Sequence, residues 1–314
     1  MLITIGAFDG FHRGHAGLLR LCRQYSDDWG VVTFQPHPGE FMGRLHPLFT
    51  LKERELVRKV LGIPKMFVLR FDDSLMRLSP ADFWHLLRER LDVDGVVIGS
   101  DFRFGYGREG SAQSLRDMAT ADGLKRVIIA PLIDKAEYSS TVIRRHIMAG
   151  NADMAGKLLG YPYFVISRVI HGEGRGRTMN FPTANLDISG RVIPAWGVYS
   201  SAVLVNGSWH CGALSIGNNP TFTPGQSASA EVHVPGFDGD IYGHEVIMLM
   251  LGRVRNIRKF PGAQALSLQI ASDTQTCRDI YREVMCRDYV RSFTEKTRAI
   301  CEQESFSPQI INLT

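Results

Sequence analysis

The stretch that most constrains this chain is its start, Ile3-Thr4-Ile5-Gly6-Ala7-Phe8-Asp9-Gly10-Phe11-His12-Arg13-Gly14-His15. A short apolar run reads as a buried strand and enters a turn rich in glycine and histidine. A helical pattern with Leu18, Leu19 and Leu21 follows. Glycine lets the backbone approach a ligand closely, and a helix that begins there aims N–H groups and the positive end of its dipole at an anion. Gly6, Phe8, Asp9, Gly10 and Gly14 are therefore candidates for a phosphate-binding turn. His12 and His15 stand three apart, so at a helix start they point to one side and can both hold a phosphate chain. The competing reading is a pair of exposed turn histidines.

Downstream, apolar strand-like runs at 30–34, 66–71, 95–99 and 126–130 alternate with helical patterns at 52–61, 80–91 and 112–122. Short apolar strands separated by helices predict a parallel sheet covered on both faces, with ligands beyond the carboxyl ends of the strands. Three more stretches fall at that edge. Gln35-Pro36-His37-Pro38 is a stiff loop, suited to fixing a ligand-facing group or simply rigid. Asp101-Phe102-Arg103-Phe104 interleaves aromatics with an acid and a base, either a wall for a flat ring or a turn with its rings tucked under. Ser139, Ser140 and Thr141 open the last helix of this half, with Arg144 one turn on. These hydroxyls can cap the helix, or they can bind phosphate while Arg144 neutralises developing charge.

In this order the four motifs resemble the FMN adenylyltransferase module of the bacterial bifunctional riboflavin kinase/FAD synthetases, whose signature turn is that of the nucleotidylyltransferases. The resemblance implies a Rossmann-like α/β domain in which His12, His15, Ser140 and Arg144 hold the phosphates of ATP. It also implies that Pro36, His37, Pro38, Asp101, Phe102 and Phe104 lie near the flavin or the nucleotide. The implied reaction has no covalent intermediate: the FMN phosphate attacks the α-phosphorus of ATP and pyrophosphate leaves, with Mg²⁺ assisting.

Residues 143–159 carry helical spacing interrupted by Gly150-Asn151, and Gly160-Tyr161-Pro162 marks a stop. The expected division is 1–158 and 159–314. Beyond it the strand-like runs at 163–171, 197–205, 210–216, 231–234 and 244–254 alternate and are bounded by turn residues. They predict a small antiparallel barrel, followed by helices at 262–271 and 277–304. Gly172, Gly174, Gly176 and Arg177 have a phosphate-cradling composition, or form a surface loop without function. Thr183 and Asn185 are two apart on an extended segment and project to one side, where they can ligate Mg²⁺ and a phosphate, unless they form an Asx-type turn. Glu231 and His233 likewise share a strand face, and a carboxylate so placed can take a proton from a substrate hydroxyl or merely decorate the surface.

The series His171-Gly-x-Gly-x-Gly-Arg177, Pro182-Thr-Ala-Asn185, Gly197-Val-Tyr199, Asn219-Pro-Thr-Phe222 and Glu231-Val-His233 resembles the riboflavin kinase module of the same family. That resemblance implies Thr183 and Asn185 as ligands of Mg²⁺-ATP and Glu231 as base on the riboflavin 5′-hydroxyl. Tyr242-Gly243, Phe260 and the stretch from Gln269 to Asp273 also fit, so the resemblance covers nearly the whole chain. It implies a bifunctional enzyme that uses ATP and Mg²⁺ to make FMN from riboflavin and FAD from FMN. The alternatives are one silent domain, or a protein that holds flavin and nucleotide without chemistry.

Composition narrows the partners. A net charge of +4 with no dense Lys/Arg block argues against nucleic acid and leaves room for phosphorylated small molecules. The five cysteines form no C-x-x-C pair, which argues against zinc and against a disulfide framework. With no basic leader and no apolar run long enough for a bilayer, the expected location is the cytoplasm, away from membranes. Self-association into a homo-oligomer stays open.

Overall fold

The computed structural model describes residues 1–131, 137–170, 183–218, 228–237, 239, 241–303 and 311–312. The chain separates into two compact units, Met1–Ser140 with Ser307–Thr314, and Thr141–Phe306.

In the first unit β1 (Leu2–Ile5), β2 (Trp29–Gln35), β3 (Lys65–Arg70) and β4 (Gly95–Gly99) are followed by a two-residue hairpin, β5 (Arg103–Phe104) and β6 (Gly110–Ser111), and then by β7 (Arg126–Ala130). β3, β2, β1, β4 and β7 lie side by side in that order, and every pair is parallel. Strands buried on both faces need apolar side chains at consecutive positions, which is why β4 reads as an unbroken apolar run and β1 as one interrupted only by the buried Thr4. β1 sits where the order reverses, so the turn leaving its carboxyl end opens at the switch point of the sheet. Helices Ala16–Tyr25, Leu51–Val60, Pro80–Arg90 and Ala112–Ala121 alternate with the strands, as expected. Their starts are written locally: Thr50 and Glu53 form a capping box, and Ser79 accepts from Asp82 N–H ahead of Pro80. Ile3, Ile5, Leu69, Trp84, Val96 and Leu115 are among the side chains that close the core.

The second unit opens inside the helix Ser140–Met148 and continues with the helix Ala152–Leu159, the two separated at Gly150, whose φ of +80° suits glycine. β8 (Phe164–Ile170), β9 (Thr183–Leu186), β10 (Gly197–Val205), β11 (Ser208–Asn218), β12 (Ala228–His233) and β13 (Glu245–Arg255) then close an antiparallel barrel in the order β10-β11-β12-β9-β8-β13. The barrel and the terminal helices match the expected class, with one correction. A single helix, Ala263–Met285, replaces the expected break at 272–276, and the chain turns instead before the helix Asp288–Gln303. Asp273 explains this: it is buried on the inner face, paired with Arg255 at 2.9 and 3.0 Å, so a charged residue occupies a position where apolar spacing was sought. A last strand, β14 (Ile311–Asn312), joins the first unit's sheet in parallel beside β3. Among the described residues no helix is long and apolar enough to cross a membrane.

Candidate active sites

The turn after β1 is held in an unusual backbone conformation. Phe8, Gly10 and Phe11 have φ of +44°, +96° and +41°, the left-handed region that side chains rarely adopt. Packing holds them there. The rings of Phe8 and Phe11 are buried and stack at 5.4 Å and 11°. A Cβ on Gly6 would stand 3.3 Å from the Phe8 ring, so glycine leaves that ring its place. The imidazoles of His12 and His15 stack at 3.9 Å and 26°, and the Phe8 ring meets His15 edge-on at 5.1 Å. The two histidines therefore act as a pair rather than as separate surface groups.

Asp9 is only 2% exposed, and its carboxylate accepts the Leu48 N–H at 2.9 and 3.2 Å. It braces the turn; an anion in that position is poorly suited to meeting a phosphate itself. Ser140 Oγ donates to the Asp9 carbonyl at 3.1 Å. A Cβ on Gly14 would fall 2.6 Å from the Tyr138 carbonyl and 2.9 Å from the His12 ring. The serine stretch and the glycine-histidine turn thus meet, with Gly14 at the closest approach. Ser139 and Thr141 flank Ser140 at the helix start, and Arg144 lies partly buried one turn further along that helix.

Of the other edge loops, the one at Pro36 is rigid for a local reason. His37 Nδ1 accepts the Gly39 N–H at 3.0 Å while Glu40 accepts the His37 N–H at 3.2 Å, a reciprocal cap on the short helix Pro38–Phe41. Asp101 and Phe102 are partly buried, whereas Phe104 is in the core. The rings form a continuous series. Phe41 meets Phe71 at 5.6 Å, Phe71 meets Phe34 at 5.8 Å and Phe34 meets Phe83 at 6.5 Å. Phe83 meets Phe104 at 5.7 Å, and Phe104 stacks on Phe102 at 5.4 Å. Phe34, Phe41 and Phe71 were not singled out from sequence. The available signal was their place at or just beyond the carboxyl ends of β2 and β3.

In the barrel the candidate residues are placed by register. On β9, Thr183 and Asn185 are partly exposed while Ala184 and Leu186 are buried. β12 repeats the alternation, with Glu231 and His233 outward and Ala230 and Val232 in the core. Antiparallel pairing sets Glu231 directly opposite Asn185 and His233 opposite Thr183, and Ser215 of β11 flanks Glu231 on its other side. Residues directly opposite in such a pair share a face with Cβ atoms about 5 Å apart. A hydroxyl, an amide and a carboxylate accordingly line one patch outside the barrel core. These oxygen donors fit a hard divalent cation such as Mg²⁺; among the described residues no cluster of three His, Cys, Asp or Glu side chains could hold a metal. Gly172, Gly174, Gly176 and Arg177 lie outside the described residues.

The stretch from Phe260 to Asp273 forms one network. Arg255 pairs with Asp273, Gln269 donates to Asp273 at 2.7 Å, Arg258 donates to Gln269, and the Arg255 and Arg258 guanidinium groups lie 5.5 and 4.8 Å from the centre of the Phe260 ring.

In comparisons with known proteins, two family models match separate parts of the chain. Residues 1–142 match the FAD synthetase family model and residues 159–281 the riboflavin kinase model. A bifunctional riboflavin kinase/FMN adenylyltransferase from Listeria monocytogenes is 36% identical, over 90% of this chain and 93% of that protein. The protein of the same description from Escherichia coli K12 is 33% identical over 89% and 92%. A crystal structure described as a macrolide-efflux protein from Streptococcus pneumoniae superposes with a TM-score of 0.79 at 32% identity, covering 88% of this chain and 93% of that one.

Proposed function

Since this chain belongs to the family of bifunctional riboflavin kinase/FMN adenylyltransferases, making FMN from riboflavin and FAD from FMN, we propose that each reaction has its own site, in domains 1–158 and 159–314. Phosphorylation is assigned to the outer face of β9 and β12, adenylylation to the turn after β1. The observation that carries the kinase assignment is the register that sets Glu231 opposite Asn185 and beside Ser215.

At the barrel, Glu231 accepts the proton of the riboflavin 5′-hydroxyl as that oxygen attacks the γ-phosphorus of ATP, whose bond to the β,γ-bridging oxygen breaks so that ADP leaves. Thr183 and Asn185 are the side chains that would hold Mg²⁺, and Asn185 would also meet the nucleotide phosphates. Mg²⁺ bound there supplies electrostatic stabilisation of charge on the phosphate oxygens. Gly172, Gly174, Gly176 and Arg177 are assigned to the same phosphates.

At the first site the paired imidazoles of His12 and His15 face the ATP phosphates. Gly6, Phe8, Gly10 and Gly14 shape the turn, Asp9 braces it, and the N–H groups at Ser139, Ser140 and Thr141 add donors. Arg144 supplies a further cation one turn along. As an FMN phosphate oxygen attacks the α-phosphorus, these groups align the reactants and balance charge on the leaving pyrophosphate, with no covalent intermediate required. Phe102 offers a face to the flavin, backed by Phe104, while Asp101 and the capped loop Pro36-His37-Pro38 close the sides. A cytoplasmic location is part of the same reading.

A chromatographic time course tests this reading. Riboflavin, ATP and Mg²⁺ should yield FMN and then FAD, and FMN with ATP should yield FAD. FAD from FMN alone would mean that the barrel site is silent, and FMN accumulating without FAD, even with reduced flavin, would mean that the first site is.

A further inference from the structure

We propose that Arg54 is a positioning residue for adenylylation, locking the phosphate turn after β1 to the loop that follows β2. The inference rests on the assignment of adenylylation to that turn.

Arg54, on the helix Leu51–Val60, is only 2% exposed. Its Nη1 donates to Thr33 Oγ1 at 2.9 Å and reaches the Ala7 carbonyl at 3.4 Å, and Thr33 Oγ1 donates to the same carbonyl at 2.8 Å. Its Nη2 donates to the Phe34 carbonyl at 3.0 Å and to Gln35 Oε1 at 2.6 Å. Ala7 lies between Gly6 and the left-handed Phe8, and Gln35 leads directly into Pro36-His37-Pro38. One rigid guanidinium fork therefore spans two of the four motif stretches, which a single-point donor cannot do.

The arrangement is a poor choice for stability alone. Burial disfavours the cation, and the nearby carboxylates of Asp9 and Glu40 offset this only in part. Arg54 Nε has no hydrogen-bond acceptor among the described residues. An apolar side chain of similar volume often serves a core better than a buried ion with an unsatisfied donor. What it cannot do is fix the Ala7 carbonyl and the Gln35 side chain relative to each other.

The test uses the full chain with Arg54→Lys, Gln35→Ala and, as reference, His15→Ala, measuring FMN-to-FAD and riboflavin-to-FMN kinetics alongside thermal melting. Arg54→Lys should lower kcat for FAD formation about 10- to 100-fold, the scale of effect that small misplacements have. KM for FMN and ATP should move less than about threefold, and riboflavin phosphorylation should be unchanged. Gln35→Ala removes one end of the bridge and should lower the same kcat about three- to tenfold. Wild-type kcat in Arg54→Lys overturns the proposal, as does a loss that merely tracks the melted fraction. If Arg54→Lys does not fold, unchanged kcat in Gln35→Ala overturns it. FAD synthesis that survives His15→Ala defeats the site assignment and this proposal with it; loss there beside normal Arg54→Lys kinetics defeats the proposal alone.

Discussion

The two candidate sites are built by different means. The first depends on a turn with three left-handed residues and on contacts between distant stretches, such as Gly14 against Tyr138 and Asp9 against Leu48. The second depends on the pairing of neighbouring strands, which places Thr183, Asn185 and Glu231 on one face, none of them with a left-handed backbone. A register-built site is robust in its backbone, so its chemistry rests on side-chain identity. A turn-built site is exposed to backbone disturbance as well. Substitutions in each should therefore fail differently.

The largest expected effect is at the barrel. Glu231→Ala removes the base and should slow FMN formation about 10²- to 10⁴-fold while leaving FMN-to-FAD conversion intact. Product analysis from each starting flavin checks this, and loss of both activities in a folded variant would break the division into two sites. His15→Ala should do the converse, lowering FAD formation about 10²- to 10³-fold, and unchanged FAD synthesis would remove the role given to the stacked pair.

Gly14→Ala sharpens the comparison because it adds one methyl and removes no polar group. The new Cβ would stand 2.6 Å from a backbone carbonyl and 2.9 Å from the His12 ring. FAD formation should fall about 10- to 100-fold through misplacement, with riboflavin phosphorylation unaffected. An effect below twofold would show that the first site tolerates backbone disturbance after all.

The smallest effect is one in which the units should agree. Cys22 in the first and Cys277 in the second are buried, and burial pushes both thiols from 9.0 up to about 12. Between pH 9 and 12 the unfolded chain loses these protons while the folded chain keeps them, so stability falls as pH rises. Each thiol contributes at most about 1.4 kcal/mol per pH unit. Melting midpoints followed from pH 8 to 11 should decline, and Cys22→Val or Cys277→Val should flatten the decline for its own unit.

Much of the fold was legible because strands of a parallel sheet are buried on both faces and announce themselves as apolar runs. β4 falls on residues 95–99 as read, and β7, a partly buried strand at the end of the sheet, falls on 126–130 as read. Motif residues were legible as residue types, but their division of labour was not. Nothing in a lone aspartate tells bracing from binding, and the Leu48 N–H on the buried Asp9 carboxylate is what supports bracing. Arg54 sits inside a helix whose pattern looks ordinary, and its meaning depends on what Thr33 and Gln35 present to it. The long terminal helix was misread for a related reason, since a buried ion pair at Asp273 imitates a break in apolar spacing. β14, two residues long, carries too little pattern to be seen.

That short strand bears on the order of synthesis. β3 emerges from the ribosome long before Ile311–Asn312, its partner on that side. Until those residues arrive, the outward row of N–H and C=O groups on β3 stays open to pairing with a neighbouring nascent chain. The charged residues at its two ends, Lys65 and Arg70, both exposed, would then serve as the interim guard of an edge that the chain itself covers only with residues far downstream.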